Sequence, residues 1–272
     1  SGELADFLHF KGHNIRVITA PKYYPNWEID NNKYFIDKSS PYKIAKCPIY
    51  VPNQPNGIKR ILHLISFAIT SLPVLLAQLK WQPNCLILIA PTLICAPNII
   101  LFEFLSSKKF LKILHIQDFE LEAAFNLGLL KGKLLKKFFL KIEGWILNYF
   151  ELVGTISIGM REKLFEKVFE KNKIFLIPNW IDLNKIKKKE IGDKNTNKYR
   201  QILNISPDKI VIQFSGSMNK KQGLEFLLPI IENFKKHKKV IWIFGGEGPT
   251  KKEFIYATRN ITNIKFLPLQ DL

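Results

Sequence analysis

A chain of 272 residues has room for two domains of ordinary size, and its 47% apolar and 24% charged residues exclude a disordered or low-complexity protein. The net charge of +18 is large but spread out, at +5, +8 and +5 over residues 1–100, 101–200 and 201–272 (10 basic against 5 acidic, 20 against 12, 11 against 6). This argues against a nucleic-acid module, which concentrates its excess on one face with aromatic or Arg readers. Nearly all of the excess is Lys, in a chain also rich in Ile, Asn and Phe, so coding bias and attraction to an anionic membrane surface both account for it.

In chain order, Leu4, Phe7 and Leu8 space a first helix that Gly12 closes, and residues 15–19 form the next strand. A parallel α/β unit that starts on a helix lacks the strand that should feed it. The last strand, 263–267, has almost nothing after it. The chain is therefore expected to be a piece of a longer protein. Residues 21–57, rich in Pro, Tyr, Asn and Lys, are expected to be a long irregular excursion.

The longest apolar stretch, 61–79, contains His63, Ser66, Thr70, Ser71, Pro73 and Gln78. It is expected to fall short of a membrane-spanning helix and to form a buried or interfacial one, broken near Pro73. Further strands are expected at 85–89, 111–117, 152–157, 174–177, 209–214 and 240–244, alternating with helical patterns such as 162–169 and 224–234. Continuous apolar strands alternating with helices predict parallel sheets covered on both faces. Cys47, Cys85 and Cys95 have no C-x-x-C spacing and no His at metal-ligand distance in sequence, so buried free thiols in a reducing cytoplasm are expected. The polar, Lys-rich run after Asp182 predicts a boundary, with domains at 1–182 and 199–272 and a linker over 183–198.

Two turns carry the chemistry. After the strand at 209–214 comes Phe214-Ser215-Gly216-Ser217-Met218-Asn219-Lys220-Lys221-Gln222-Gly223, which leads into a helical pattern. Strand, small-residue turn with two lysines, then helix is an arrangement that presents backbone N–H groups to a phosphate. About thirty residues on, Phe244-Gly245-Gly246-Glu247-Gly248-Pro249 repeats the theme, with Pro249 expected at the first helical position. Two such turns point to a nucleotide diphosphate. His115 and Asp118 lie at the C-terminal end of a strand, the edge where ligands bind in open α/β sheets. Asp118 could instead cap the following helix, and His115 could be a satisfied core histidine. Residues 127–141 mix Lys with Leu and Phe, as either a basic amphipathic helix on anionic lipid or a core helix with a solvated Lys face.

Four landmarks in register resemble the retaining glycosyltransferases of family four, in the branch that builds colanic acid and related exopolysaccharides and O-antigens. They are residues 12–25, from Gly12-His13-Asn14-Ile15 to Tyr24-Pro25; Leu114-His115-Ile116-Gln117-Asp118-Phe119-Glu120; Ile177-Pro178-Asn179-Trp180-Ile181-Asp182; and the turn at Gly216–Gly223. The resemblance implies the GT-B fold, two Rossmann-like parallel-sheet domains facing a cleft, both incomplete here, and a chain inactive by itself. It implies a nucleotide-diphosphate sugar as donor and a glycan or lipid-linked acceptor. It implies no metal, consistent with the lack of an Asp-x-Asp motif, and no nucleic acid. By it, Gly216, Ser217, Lys220, Lys221, Gly223, Gly246, Glu247 and Gly248 face the donor, Asp118 and His115 act on the sugar, and Asn179 lies at the cleft or hinge.

The sequence departs from the family where Arg usually follows the first glycine and Lys precedes the second: those places hold Ser217 and Gln222. The position before Asp118, often His, holds Gln117, for which His115 substitutes if the strand extends that far. An epimerase on the same fold and a non-catalytic basic binding module are the alternatives.

Overall fold

The computed structural model describes residues 2–23, 27–29, 36–37, 40–53, 57–90, 93–119, 125, 132–180 and 198–269. The chain divides into two compact units, Ser1–Trp180 and Ile181–Leu272. Nearly all of the stretch expected as a linker, 183–198, lies outside the described residues.

In the first unit, α1 (Gly2–Phe10) turns at Gly12 into β1 (Arg16–Thr19). Gly12 sits at φ 88° with its amide bonded to the His9 carbonyl at 2.9 Å, a left-handed helix stop that glycine adopts without strain. β2 (Ile36–Asp37) and β3 (Lys43–Lys46) then form a three-stranded sheet with β1, in the order β1-β3-β2. β3 runs parallel to β1, with Arg16 opposite Lys43. The excursion at 21–57 is therefore not irregular throughout. Lys43-Ile44-Ala45-Lys46 carries only two apolar residues, too short a pattern to announce a strand until β1 pairs with it.

The second sheet of this unit is all parallel, in the order β4-β5-β6-β7: β4 (Cys85–Ala90), β5 (Leu111–Ile116), β6 (Leu152–Thr155) and β7 (Ile174–Leu176). Between successive strands run α3 (Ala96–Leu105), α4 (Lys133–Tyr149) and α5 (Ile158–Lys167). Leu114 and Ile116 of β5 and Val153 of β6 share one core with Phe102, Leu147, Phe150 and Leu164. Burying a side chain of that size contributes about 1.5–3 kcal/mol. Cys47 and Cys95 are buried free thiols as expected, but Cys85, at the exposed start of β4, is not.

The helix α2 (Gly57–Leu76) runs through Pro73 without a break, contrary to expectation. Pro73 and Ile69, whose carbonyl loses its donor, both lie on the exposed face, where water can take the bond. The polar residues of α2 face its own unit. Thr70 Oγ1 donates to the Pro48 carbonyl at 2.5 Å, Ser66 Oγ accepts from the Tyr50 amide at 2.8 Å, and His63 Nδ1 lies 2.5 Å from the Tyr50 carbonyl. Among the described residues, Lys59–Lys80 is the one helix long and apolar enough to cross a membrane by length and composition, so its polar residues do not exclude it on those grounds.

The second unit has a parallel sheet in the order β10-β9-β8: β8 (Ile210–Ser215), β9 (Val240–Gly245) and β10 (Ile264–Leu267). α6 (Lys198–Ile202), α7 (Leu228–Asn233) and α8 (Lys251–Ala257) are its α-helices among the described residues. Its core gathers Met218, Ile231, Trp242, Phe244 and Phe254, with the Phe244 and Phe254 rings 4.8 Å apart edge to face. The expected helix at 224–234 begins instead as a 3-10 turn, Leu224–Leu227, and becomes α-helical only at Leu228, with Pro229 in its first turn.

Candidate functional site

Parallel strands bring their C-terminal ends to one edge, and in the first unit that edge carries the predicted polar residues. His115 is the fifth residue of β5 and only 5% exposed. It sits opposite Gly154 of β6, and a Cβ added there would meet His115 Nδ1 at 3.1 Å and the Phe175 ring at 2.7 Å. Glycine at 154 thus makes room for the imidazole. His115 Nδ1 is buried with no hydrogen-bond partner, and burial pushes the imidazole below its ordinary pKa. β5 ends at Ile116, so Gln117 lies in a bend and the same-face argument by which His115 replaces a residue at 117 does not hold.

Asp118 is half-buried two residues past β5. Its neighbour Phe119 is buried, and the Lys167 ammonium lies 4.8 Å from that ring centroid. Lys167 Nζ also donates to Glu143 Oε2 at 2.6 Å, and Glu143 is 1% exposed. A buried ion pair between α4 and α5 therefore holds the residue next to Asp118. Sequence reasoning missed the pair, because nothing in the spacing of Glu143 and Lys167 announces it. The helix that Asp118 could cap falls outside the described residues. Ser157, after β6, caps α5 by accepting from the Met160 amide, and Asn179 is exposed three residues past β7.

In the second unit the two glycine turns follow adjacent strands, with Ser215 and Gly245 paired at their ends. The turns interlock through the backbone. The Gly216 amide donates to the Gly245 carbonyl at 3.0 Å, the Met218 amide to Glu247 at 2.9 Å, and the Thr250 amide to Met218 at 3.2 Å. A Cβ at Gly246 would lie 1.9 Å from the Gly216 carbonyl oxygen, and one at Gly248 2.1 Å from that of Met218. Only glycine permits so close an approach.

Several amides that the sequence offered to a phosphate are thereby spent on the turns themselves, those of Gly216, Met218, Gly223 and Gly246. Among the described residues the amides of Ser217, Glu247 and Gly248 have no backbone acceptor. Gly223 adopts φ 64° and reverses the chain into the 3-10 turn. Lys220 is exposed, and the Lys221 side chain lies outside the described residues.

Glu247 is engaged by Lys251, whose Nζ lies 2.6 Å from Oε1 and 3.4 Å from the Leu267 carbonyl. Sequence reasoning missed Lys251, although the Glu-to-Lys step of four is a readable signal. Pro249 lies two residues before α8, not at its first position.

No family model matches the chain. It is 34% identical over 278 residues to WcaI of Escherichia coli (strain K12), assigned by name as a colanic acid biosynthesis glycosyl transferase; the match takes in 99% of this chain and 67% of WcaI. Among solved structures it resembles HepE of Anabaena in complex with UDP-glucose, at TM-score 0.55 and 16% identity over 84% of this chain and 56% of that one. It also resembles WaaG, a glycosyltransferase involved in lipopolysaccharide biosynthesis, at TM-score 0.56 and 11% identity over 98% of this chain and 65% of that one. A glycosyltransferase of Rickettsia africae ESF-5 matches at TM-score 0.57 and 12% identity, over 99% and 63%. These likenesses show the GT-B fold. The chain thus spans about two thirds of the length of WcaI and a little over half of HepE.

Proposed function

The chain belongs to the glycosyltransferase family that WcaI represents, and on that premise we propose that it moves a sugar, with retention, from a nucleotide-diphosphate sugar to a polysaccharide or lipid-linked oligosaccharide precursor. The products of such a reaction are exopolysaccharide, capsule or O-antigen, made on the cytoplasmic side of the plasma membrane. The observation that carries the reading is the double turn of the second unit. Among the described residues, its interlocked backbone leaves the amides of Ser217, Glu247 and Gly248 without backbone acceptors at the C-terminal edge of β8 and β9. A diphosphate suits such a row of oriented N–H groups. The UDP-glucose complex of HepE supports this donor class.

In this reading Gly216, Ser217 and Gly223 approach the diphosphate, and Gly246, Glu247 and Gly248 approach the ribose and base. Lys220 or Lys221 supplies the countercharge, and Lys251 adds a cation tied to Glu247. Asp118, steadied through Phe119, and His115 act toward the sugar. Charge on the departing diphosphate is met by Lys side chains and backbone dipoles without a required metal.

The test is thermal unfolding of the protein against a panel of UDP-, GDP-, ADP- and dTDP-linked sugars. Saturable protection by one nucleotide class is expected, since a ligand that binds only the folded state raises Tm. No protection by any of them, with salt-sensitive binding to generic duplex DNA instead, would replace the reading with a basic binding module.

A further inference from the structure

The chain that leaves β1 carries aromatic residues for which donor binding has no use. β1 and β3 run parallel and end at Thr19 and Lys46, where the Cys47 amide donates to the Thr19 carbonyl at 2.7 Å. Beyond that C-terminal edge, where ligands bind in open α/β sheets, the Glu28 amide donates to the Tyr23 carbonyl at 3.2 Å. The Tyr23 and Trp27 rings lie 5.6 Å apart, tilted by 53°. His63 of α2 completes the group, with its imidazole 4.7 Å from the Tyr23 ring, edge on, and 5.4 Å from that of Trp27. Tyr23 and Trp27 are half-buried, so both keep part of their surface in water, whereas His63 is 4% exposed.

Two details set this cluster apart from ordinary packing. Trp27 stands at φ 57°, in the left-handed region that a bulky side chain enters only at a steric cost. His63 Nδ1 lies 2.5 Å from the Tyr50 carbonyl, and a carbonyl only accepts, so the ring proton is on Nδ1. Burial, aided by the charge of Arg60, holds this imidazole below its ordinary pKa, and Nε2 is left as a bare acceptor on the side of the ring away from Tyr50. Among the described residues Nε2 has no hydrogen-bond partner.

We propose that Tyr23, Trp27 and His63 form a subsite for one pyranose ring of the acceptor, which stacks its C–H face on the two aromatic rings while a hydroxyl donates to His63 Nε2. The chemistry selects that class of ligand. A sugar ring is apolar across its C–H faces and polar along its rim, and its partly positive C–H hydrogens meet the negative face of an aromatic ring. Aromatic surface with a single well-placed polar group is how small-ligand sites fix orientation. A nucleobase is flat, but these three rings stand at 53°, 59° and 70° to one another, so no two of them make a slot for it. A phosphate gains nothing from Nε2, which accepts. The subsite rests on the preceding reading in that a glycan acceptor supplies the sugar.

Titration with methyl glycosides tests the subsite without any nucleotide, so its failure leaves thermal protection by donors untouched. Saturation-transfer NMR with the methyl glycosides of glucose, galactose, mannose, fucose and N-acetylglucosamine should show saturable binding of at least one, strongest at the C–H protons of one ring face. Tyr23→Ala and Trp27→Ala should each weaken that binding about tenfold with unchanged circular dichroism. His63→Asn, whose amide replaces Nδ1 but not Nε2, should weaken it about fivefold. As a second measurement on the unmutated site, the bound glycoside should shift tryptophan emission by a component that Trp27→Phe removes. Binding of none of the glycosides, binding indifferent to all three substitutions, or displacement of the bound glycoside by uridine diphosphate would each overturn the proposal.

Discussion

The Asp118 edge and the double glycine turn occupy the same place in two parallel sheets, yet they are held by opposite means. At the first edge, side chains do the holding: Lys167 pairs with the buried Glu143 and lies over Phe119, while His115 fits into the space that Gly154 leaves. At the second, the backbone does it, since Gly216, Met218, Gly246 and Gly248 interlock with almost no side chain involved. A side-chain scaffold can be loosened one charge at a time and can respond to pH. A backbone scaffold fails sterically or not at all.

The sharpest way to break the first edge is Lys167→Met. It strands Glu143, 1% exposed, without its cation, and the expected loss is about 3–5 kcal/mol in chemical denaturation, largely restored by Lys167→Arg. A loss below about 1 kcal/mol would mean that the pair does not hold this edge.

The second edge should break next most severely with Gly246→Ala. The new Cβ meets the Gly216 carbonyl oxygen at 1.9 Å and the residue stands at φ 135°, so a cost of about 2–3 kcal/mol and loss of donor protection are expected. Gly216→Ala, whose Cβ meets nothing nearer than the Phe214 ring at 3.5 Å, should cost clearly less in stability. Equal costs at the two positions would contradict the interlock.

The smallest effect separates the edges by pH. Burial lowers the His115 pKa in the folded chain, so the imidazole is neutral in both states above about pH 6.5 and its protonation costs nothing there. As pH falls through that value the unfolded chain takes up the proton first, and stability falls until the pH passes below the folded value. Unfolding midpoints between pH 7.5 and 5 should therefore drop, and His115→Gln should remove part of the slope. His63, likewise pushed down by burial, supplies another part. The glycine turns have no such group and should contribute none.

The elements that the sequence made legible were those with a strong local signature. Apolar runs marked eight strands within a residue or two of their observed bounds, and glycine at 216, 223, 246 and 248 marked two tight turns. β3 escaped because two apolar residues in four are not a pattern until a partner strand supplies the ladder. The same-face relation of His115 to Gln117 fails because it required β5 to run one residue further than it does. Cys85 was expected inside because its neighbours in sequence are apolar, whereas it starts its strand at the surface.

By itself, the sequence determined an α/β chain with glycine turns in a fixed order, because strand runs, helix periods and glycine conformations are local and recur along one dimension. Only the tertiary structure decided that turns thirty residues apart would interlock, that Glu143 would find Lys167, and that α4 would bury one apolar face and leave another exposed. A period records how many faces of a helix are apolar, but which face meets the core depends on residues far away in the chain.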